Sequence, residues 1–379
     1  MRIFQVCADP GIPPDGTKGA SVHLRAIAGA LRHAGHEVIT FTAARARGSA
    51  PAPGTWLPLT GEGPLHRAAG RLGPPDLVYE RYALGHEAGL HAARSLGCPF
   101  VLKVNAPLVA EATRYRPGSV GPGDLALEDR LFAGADLVVA VSEPLRRHVA
   151  VRRGDDQGTA VVWNGCELDR YPMPAPQRDG DAATLVFLGH PKPWHGAQRL
   201  PEMLVELRRR GHSVRLVVIG GGPGADELYR HATTLGVGDW VDITGPLTAE
   251  AVADQLMAAT VAVAPYPPEP FFYFCPLKVV ECLAAGLPVV SVAQGDLPAM
   301  VGAAGVLVAP GDEKAFVDET AALLADGERR RIMGRRAWER ARVTFSWDRA
   351  AAAILTGVSP TSMAVAGAPT GAGRGEERR

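Results

Sequence analysis

The chain has 379 residues, 40 basic and 40 acidic side chains, 46% hydrophobic residues and five cysteines. At roughly 100–200 residues per domain this allows about two domains, each with its own core. The balanced charge lacks the basic excess of a general nucleic-acid or anionic-membrane binder. Cys7, Cys98, Cys166, Cys275 and Cys282 are scattered and contain no C-x-x-C pair, which supports neither a disulfide framework nor structural zinc and fits a reducing compartment.

The first residues, Met1 to Asp9, form an apolar run closed by an aspartate. It falls short of the about 7–15 residues of a signal-peptide core and reads as a buried strand. No other run approaches the roughly 18–20 apolar residues that span a bilayer, so the expected location is cytoplasmic, without a transmembrane segment. That first strand is predicted at Ile3–Cys7, and further ones at Glu37–Phe41, Leu77–Tyr79, Phe100–Val104, Leu137–Val141 and Ala160–Trp163. A second series follows at Leu185–Leu188, Arg215–Ile219, Trp240–Ile243, Val261–Ala264, Val289–Val292 and Val306–Val308. Helical periodicity separates them, as in Ala20–His33, Arg199–Arg209 and Thr248–Ala258. Apolar strands without strict alternation are buried on both faces, the pattern of parallel sheets covered by helices. The alternation breaks around Asp169 to Gly180, where Pro172, Pro174 and Pro176 mark an extended linker. The fold class is therefore α/β, two doubly wound domains facing a cleft. Gly357 to Arg379 is rich in Gly, Ala, Ser, Thr and Pro and is expected to be disordered.

The segment from Glu269 to Pro288 carries the strongest chemical signal. Pro276 suits a first helical position, Gly286 a stop, and Pro288 blocks continuation, giving a helix over Pro276–Ala285. Lys278 in a first turn opposes the helix dipole. Free amides and a lysine at one place make sense where a phosphate sits. Glu281, three residues on and predicted to share a face with Lys278, suits ribose hydroxyls. Two other fingerprints compete. Gly11 to Lys18 approximates a P-loop, but Pro13 and Pro14 lack N–H groups. Val217 to Ala225 spells Gly-x-Gly-x-x-Ala after a strand, which reads as a close turn more readily than as a dinucleotide site. No nucleophile constellation or metal-ligand cluster stands out, and Arg208–Arg210 and Glu328–Arg336 read as solvated helix faces.

Cys275-Pro276-Leu277-Lys278-Val279-Val280-Glu281 with the following Ala285-Gly286-Leu287-Pro288-Val289 resembles the donor-site helix of the retaining GT-B glycosyltransferases of family 4. Other segments are similar to that family in chain order: Gly16 to His23, Asp136 to Ser142, Trp163 to Asp169, and Leu188 to Gly196. The resemblance spans residues 1 to about 356. It implies a GT-B fold of two Rossmann-like domains, an acceptor domain at 1–170 and a nucleotide-sugar domain at 171–345, with a helix at 346–356 returning to the first domain and a tail at 357–379. It implies transfer of a sugar from a nucleoside-diphosphate sugar (a UDP-sugar favoured, with a GDP-sugar kept open) to a hydroxyl of a small-molecule, glycan or lipid-linked acceptor. No cofactor or metal is implied, the nucleotide sugar being a substrate. Lys278, Lys192 and Asn105 are the implied catalytic residues. Gly19, His190, His195, Gly245, Tyr273, Phe274, Cys275, Leu277 and Glu281 are the implied substrate-binding residues. Two departures are clear: a family glutamate is replaced by Tyr273, and the family's Arg and Lys after the glycine of the second-domain loop fall on His190 and His195, leaving Lys192 as the nearest cation. An epimerase acting on the same donors and a catalytically silent nucleotide-sugar binder remain the alternatives.

Overall fold

The computed structural model describes residues 1–16, 19–46, 56–59, 63–173 and 182–358. Most of the Pro-rich stretch, the tail beyond Val358, and Thr17 and Lys18 of the glycine loop lie outside the described residues. All strand pairings in the two sheets are parallel.

The first sheet holds β1 (Arg2–Cys7), β2 (Glu37–Thr42), β3 (Trp56–Pro58), β4 (Leu77–Arg81), β5 (Phe100–Val104), β6 (Leu137–Ala140) and β7 (Thr159–Val161), in the order β3-β2-β1-β4-β5-β6-β7. Its central strands are buried along almost their whole length, and β5 reads Phe-Val-Leu-Lys-Val without one exposed position. The polar Gln5 is tolerated in β1 because its amide is satisfied: it donates to Leu24 O at 3.1 Å and accepts from the Thr40 hydroxyl at 2.7 Å. β3 is the strand that periodicity misses. It has three residues, ends in proline and sits at the sheet edge, where a missing N–H is tolerated.

The second sheet holds β8 (Ala183–Leu188), β9 (Val214–Ile219), β10 (Val241–Ile243), β11 (Val261–Val263), β12 (Val289–Val292) and β13 (Gly305–Val308), in the order β10-β9-β8-β11-β12-β13. This is the doubly wound order, with its reversal between β8 and β11. Trp240, expected inside a strand, instead closes a 3-10 turn at Gly238–Trp240.

The described residues form two compact units, one within 1–141, 145–162 and 351–358, the other within 142–144 and 163–350. The exchange at Trp163 precedes the Pro-rich stretch because residues 163–166 bind the second unit. Trp163 Nε1 donates to Asp296 at 2.7 Å, Asn164 Nδ2 donates to Cys275 O at 3.3 Å, and Cys166 N donates to Phe345 O at 2.8 Å. The last helix runs Trp347–Val358 and so includes Gly357, expected in the tail; a Cβ there would stand 2.8 Å from Leu137 Cδ2.

Candidate nucleotide-sugar site

Open parallel sheets take ligands beyond the carboxyl ends of their strands where the order reverses. In the second sheet this brings together the loop after β8 (Gly189 to Gly196) and the loop after β11 (Ala264 to Pro276). Close backbone approach fixes both. Gly196 has φ +68 and no room for a Cβ against Pro265 O. Gly220 has φ +145, and its Cβ would stand 2.6 Å from Gly189 O. The space beside Gly220 is thus filled by protein backbone, which favours the close-turn reading of Val217 to Ala225 over the dinucleotide one.

The loop after β11 is stiffened by aromatic packing. The Tyr266–Phe272 and Phe272–Phe274 ring centres lie 5.1 Å apart in each pair, and Tyr273 lies 4.5 Å from Phe274 and 5.3 Å from Phe271. It delivers the chain into a helix at Leu277–Ala284, one residue later than proline placement predicts. Pro276 is the N-cap, with extended backbone (φ −75, ψ 109). Its carbonyl accepts from Val279 and Val280 N at 3.0 and 3.3 Å. The amides of Leu277 and Lys278 have no hydrogen-bond partner among the described residues.

Lys278 turns its Nζ inward, where it is buried without a hydrogen bond. The nitrogen lies 4.5 Å from the centre of the Phe187 ring and 5.7 Å from that of Tyr266. A Cβ on Gly189 would come within 3.7 Å of it. Burial pushes its pKa from 10.5 down to about 7. An ammonium in this setting lacks the partners that a buried charge requires, and an anion beside it would supply them.

His195 is not a second cation. Its Nδ1 donates to His190 O at 2.9 Å, which leaves Nε2 as an acceptor. Burial, then the charge of Lys278, pushes the ring pKa down to about 3. His190 places Nδ1 2.7 Å from Gly221 O. Lys192 is exposed at the cap of the Pro193–His195 turn.

Glu281 corrects the expectation of a shared face. Lys278 faces Phe187 and Tyr266, whereas the charges acting on Glu281 are Arg170 and Glu167. Three residues fall about 60° short of a helical turn, enough here to send the two side chains to different surroundings. Burial raises the Glu281 pKa to about 7.

Other implied residues are engaged elsewhere. Tyr273 is buried in the aromatic cluster, with its carbonyl accepting from Ser142 Oγ at 2.7 Å. Cys275 is buried and accepts from Asn164 N through Sγ at 3.3 Å. Both contacts anchor the loop. Phe274 is half-buried between Phe272 and Tyr273. Gly245 has φ +69 with open space around its Cβ position, and Thr244 Oγ1 donates to its carbonyl at 2.8 Å. Asn105 and Gly19 belong to the first unit; Asn105 Oδ1 accepts from Arg81 at 2.7 Å and Gly19 is exposed at the start of its helix. Phe187 and Tyr266, the walls around Lys278, were not singled out from sequence, because nothing local marks a core aromatic as a cation's neighbour. A cavity of about 430 Å³ between the helices Leu200–Arg209 and Glu313–Ala325 shares Tyr266 with this site and none of its charged residues.

The sequence model of Glycosyltransferase Family 4 matches residues 17–170, and that of Glycosyl transferases group 1 matches residues 182–326. A D-inositol 3-phosphate glycosyltransferase of Streptomyces bingchenggensis is 30% identical, over 76% of this chain and 67% of its own. The chain belongs to the group 1, family 4 glycosyltransferases. Another D-inositol 3-phosphate glycosyltransferase similar to this family member, from Streptomyces avermitilis, is 31% identical over 76% of this chain and 65% of its own. The chain spans between 53 and 67% of the length of such curated relatives. Among solved structures, HepE of Anabaena in complex with UDP has a TM-score of 0.71 at 18% identity, over 94% of this chain and 99% of its own. Sucrose-phosphate synthase of Thermosynechococcus elongatus has a TM-score of 0.69 at 20% identity, over 94% of this chain and 97% of its own. The GT-B architecture of two Rossmann-like units is that of these glycosyltransferases. Among the described residues no helix is long and apolar enough to cross a membrane.

Proposed function

We propose that this family member is a retaining glycosyltransferase that moves a sugar from a nucleoside-diphosphate sugar, a UDP-sugar in preference to a GDP-sugar, to an acceptor hydroxyl. The observation that carries the reading is the buried Lys278 ammonium, without a hydrogen bond beside two unpartnered helix amides. The UDP in the HepE complex favours the uridine donor. As the bond between the anomeric carbon and the diphosphate breaks, negative charge grows on the leaving oxygen. Preorganised positive charge from Lys278, the Leu277 and Lys278 amides and Lys192 lowers the barrier because it acts where that charge develops. Glu281 takes the ribose hydroxyls, and Nε2 of neutral His195 accepts from a hydroxyl of the donor.

Retention by covalent double displacement requires a carboxylate nucleophile. Tyr273 occupies the position of the missing glutamate, with its ring buried. The reading is therefore front-face attack, in which the acceptor oxygen bonds to the anomeric carbon on the face the diphosphate leaves and the acceptor proton passes to a leaving phosphate oxygen. The first unit takes the acceptor. The experiment is a thermal-shift titration with UDP and GDP, followed by product analysis with the matching donor. A rise in melting temperature and transfer with retained anomeric configuration are expected. No shift with either nucleotide, or an inverted or epimerised product, would overturn the reading.

A further inference from the structure

The first sheet has its own reversal, between β1 and β4. At its carboxyl end Cys7, Arg81 and Lys103 are register partners on three adjacent strands, so their side chains stand on one face. Two of the three are cationic and neighbours, an arrangement that destabilises a sheet unless something offsets it. Lys103 is buried and donates to Val162 O at 2.9 Å. Arg81 donates to Asn105 Oδ1 at 2.7 Å and forms no ion pair among the described residues. Both of these acceptors are neutral. The acidic groups acting on Arg81 are Cys7, Tyr79 and Asp9; burial holds the first two neutral, and the Asp9 carboxylate already accepts from Gly11 N at 2.7 Å. His23, buried on the covering helix, adds no acidic partner; the cations Arg81 and Lys103 join burial in holding its ring neutral. Arg81 is the last residue of β4 and half-buried, and burial is the largest influence on its guanidinium, holding its pKa below the usual value.

We infer that the carboxyl ends of β1, β4 and β5 form an anion site in which Arg81 contacts a phosphate or carboxylate group of the acceptor. Calling that ligand the acceptor rests on the glycosyl-transfer reading; the anion site does not. A guanidinium offers five donors in a fork that matches either oxyanion. With Oδ1 held by Arg81, the Asn105 amide has two further donors for the same group.

The test is a melting-temperature titration of the full chain with inorganic phosphate, and separately with acetate. Saturating UDP occupies the donor site, and sodium chloride holds the ionic strength constant. Bound anion raises the melting temperature by mass action. At least one of the two anions is expected to do so in the wild type, and which of them does identifies the oxyanion. Arg81→Gln is expected to weaken the apparent affinity at least tenfold and Arg81→Lys by less, with the UDP response kept in both. No response to either anion in the wild type, or a wild-type response in Arg81→Gln, overturns the inference. If Arg81→Gln does not fold, Arg81→Lys with undiminished affinity overturns it equally. If UDP fails to bind, the donor reading falls by itself, and the same titration on Lys278→Ala without UDP still decides the anion site.

Discussion

Lys278 places its ammonium nitrogen 4.5 Å from the centre of the Phe187 ring, in a pocket where it has no hydrogen bond. A ring face attracts a cation by about 0.5–2 kcal/mol. It cannot replace the three hydrogen bonds that water gave the ammonium, so the free protein holds this charge at a cost. Lys278→Met should therefore raise the melting temperature of the free protein while removing its stabilisation by UDP. Lys278→Ala should lower kcat/KM by about 10²–10³, as for loss of one donor to developing charge. Thermal melts with and without UDP, and steady-state kinetics once a donor is in hand, check both. An undiminished UDP response in either variant would remove Lys278 from the site.

The same burial makes binding depend on pH. With its pKa near 7 in the free protein, Lys278 is increasingly neutral above that pH, whereas a bound diphosphate favours the ammonium. Binding above pH 7 must then take up a proton. UDP affinity should fall between pH 7 and 9, by at most about tenfold per unit. Calorimetry in buffers of different ionisation enthalpy should show the uptake. Lys278→Arg stays charged throughout and should flatten the profile.

Glu281 runs the other way. Its folded pKa of about 7 lies above the ordinary carboxyl value of 4.5, so between these values the native state binds more protons than the unfolded chain. Stability is greatest below about 4.5 and is lost as pH rises through 7. Glu281→Gln should raise the melting temperature at pH 8 and leave it nearly unchanged at pH 4.5. At about 1.4 kcal/mol per pKa unit, the gain at pH 8 is bounded near 3 kcal/mol. An equal effect at both pH values would show that the carboxyl does not titrate between them.

Much of this architecture was legible because it rests on local patterns. Apolar runs such as Phe100–Val104 and Val289–Val292 are buried on both faces and announce themselves. Trp56–Pro58 does not, since three residues at an edge carry no periodicity. Lys278 was legible because a lysine in a first turn is out of place locally. Its walls, Phe187 and Tyr266, come from β8 and from the loop after β11, distant in sequence from each other. The adjacency of Arg81 and Lys103 depends on strand register, which no single-strand pattern contains. The helix start at Leu277 was misplaced because proline suits either N1 or the preceding cap.

Gly165 shows a different kind of constraint. Its Cβ position lies 2.7 Å from Trp347 N, 2.8 Å from Ser346 C and 3.0 Å from Phe345 O. All three are backbone atoms that cannot swing aside, and Cys166 bridges Ser346 next to them. The Asn-Gly of this segment is therefore a packing requirement. Gly165→Ala should cost about 1–3 kcal/mol, the usual range for overpacking, read as a lower denaturation midpoint of the second unit. Gly35→Ala, at a glycine with positive φ but open space, should cost less.

Asp296 ties two separate passages of chain to the second unit. One carboxylate oxygen accepts from Trp163 Nε1 at 2.7 Å and from Glu143 N at 3.0 Å. The aspartate is itself buried. Asp296→Ala would remove this acceptor from both donors, at up to roughly 1–3 kcal/mol each. Asp296→Asn keeps a neutral acceptor in place and should cost less than half as much. Because both donors share one oxygen, Trp163→Phe should soften the effect of Asp296→Ala, and the double variant should lose less than the sum of the singles. Unfolding of a two-unit chain need not be two-state, so hydrogen exchange at the Glu143 amide is the sharper readout. Protection there should drop in Asp296→Ala and persist in Trp163→Phe. Equal protection in all the variants would mean that the Asp296 carboxylate does not hold this passage.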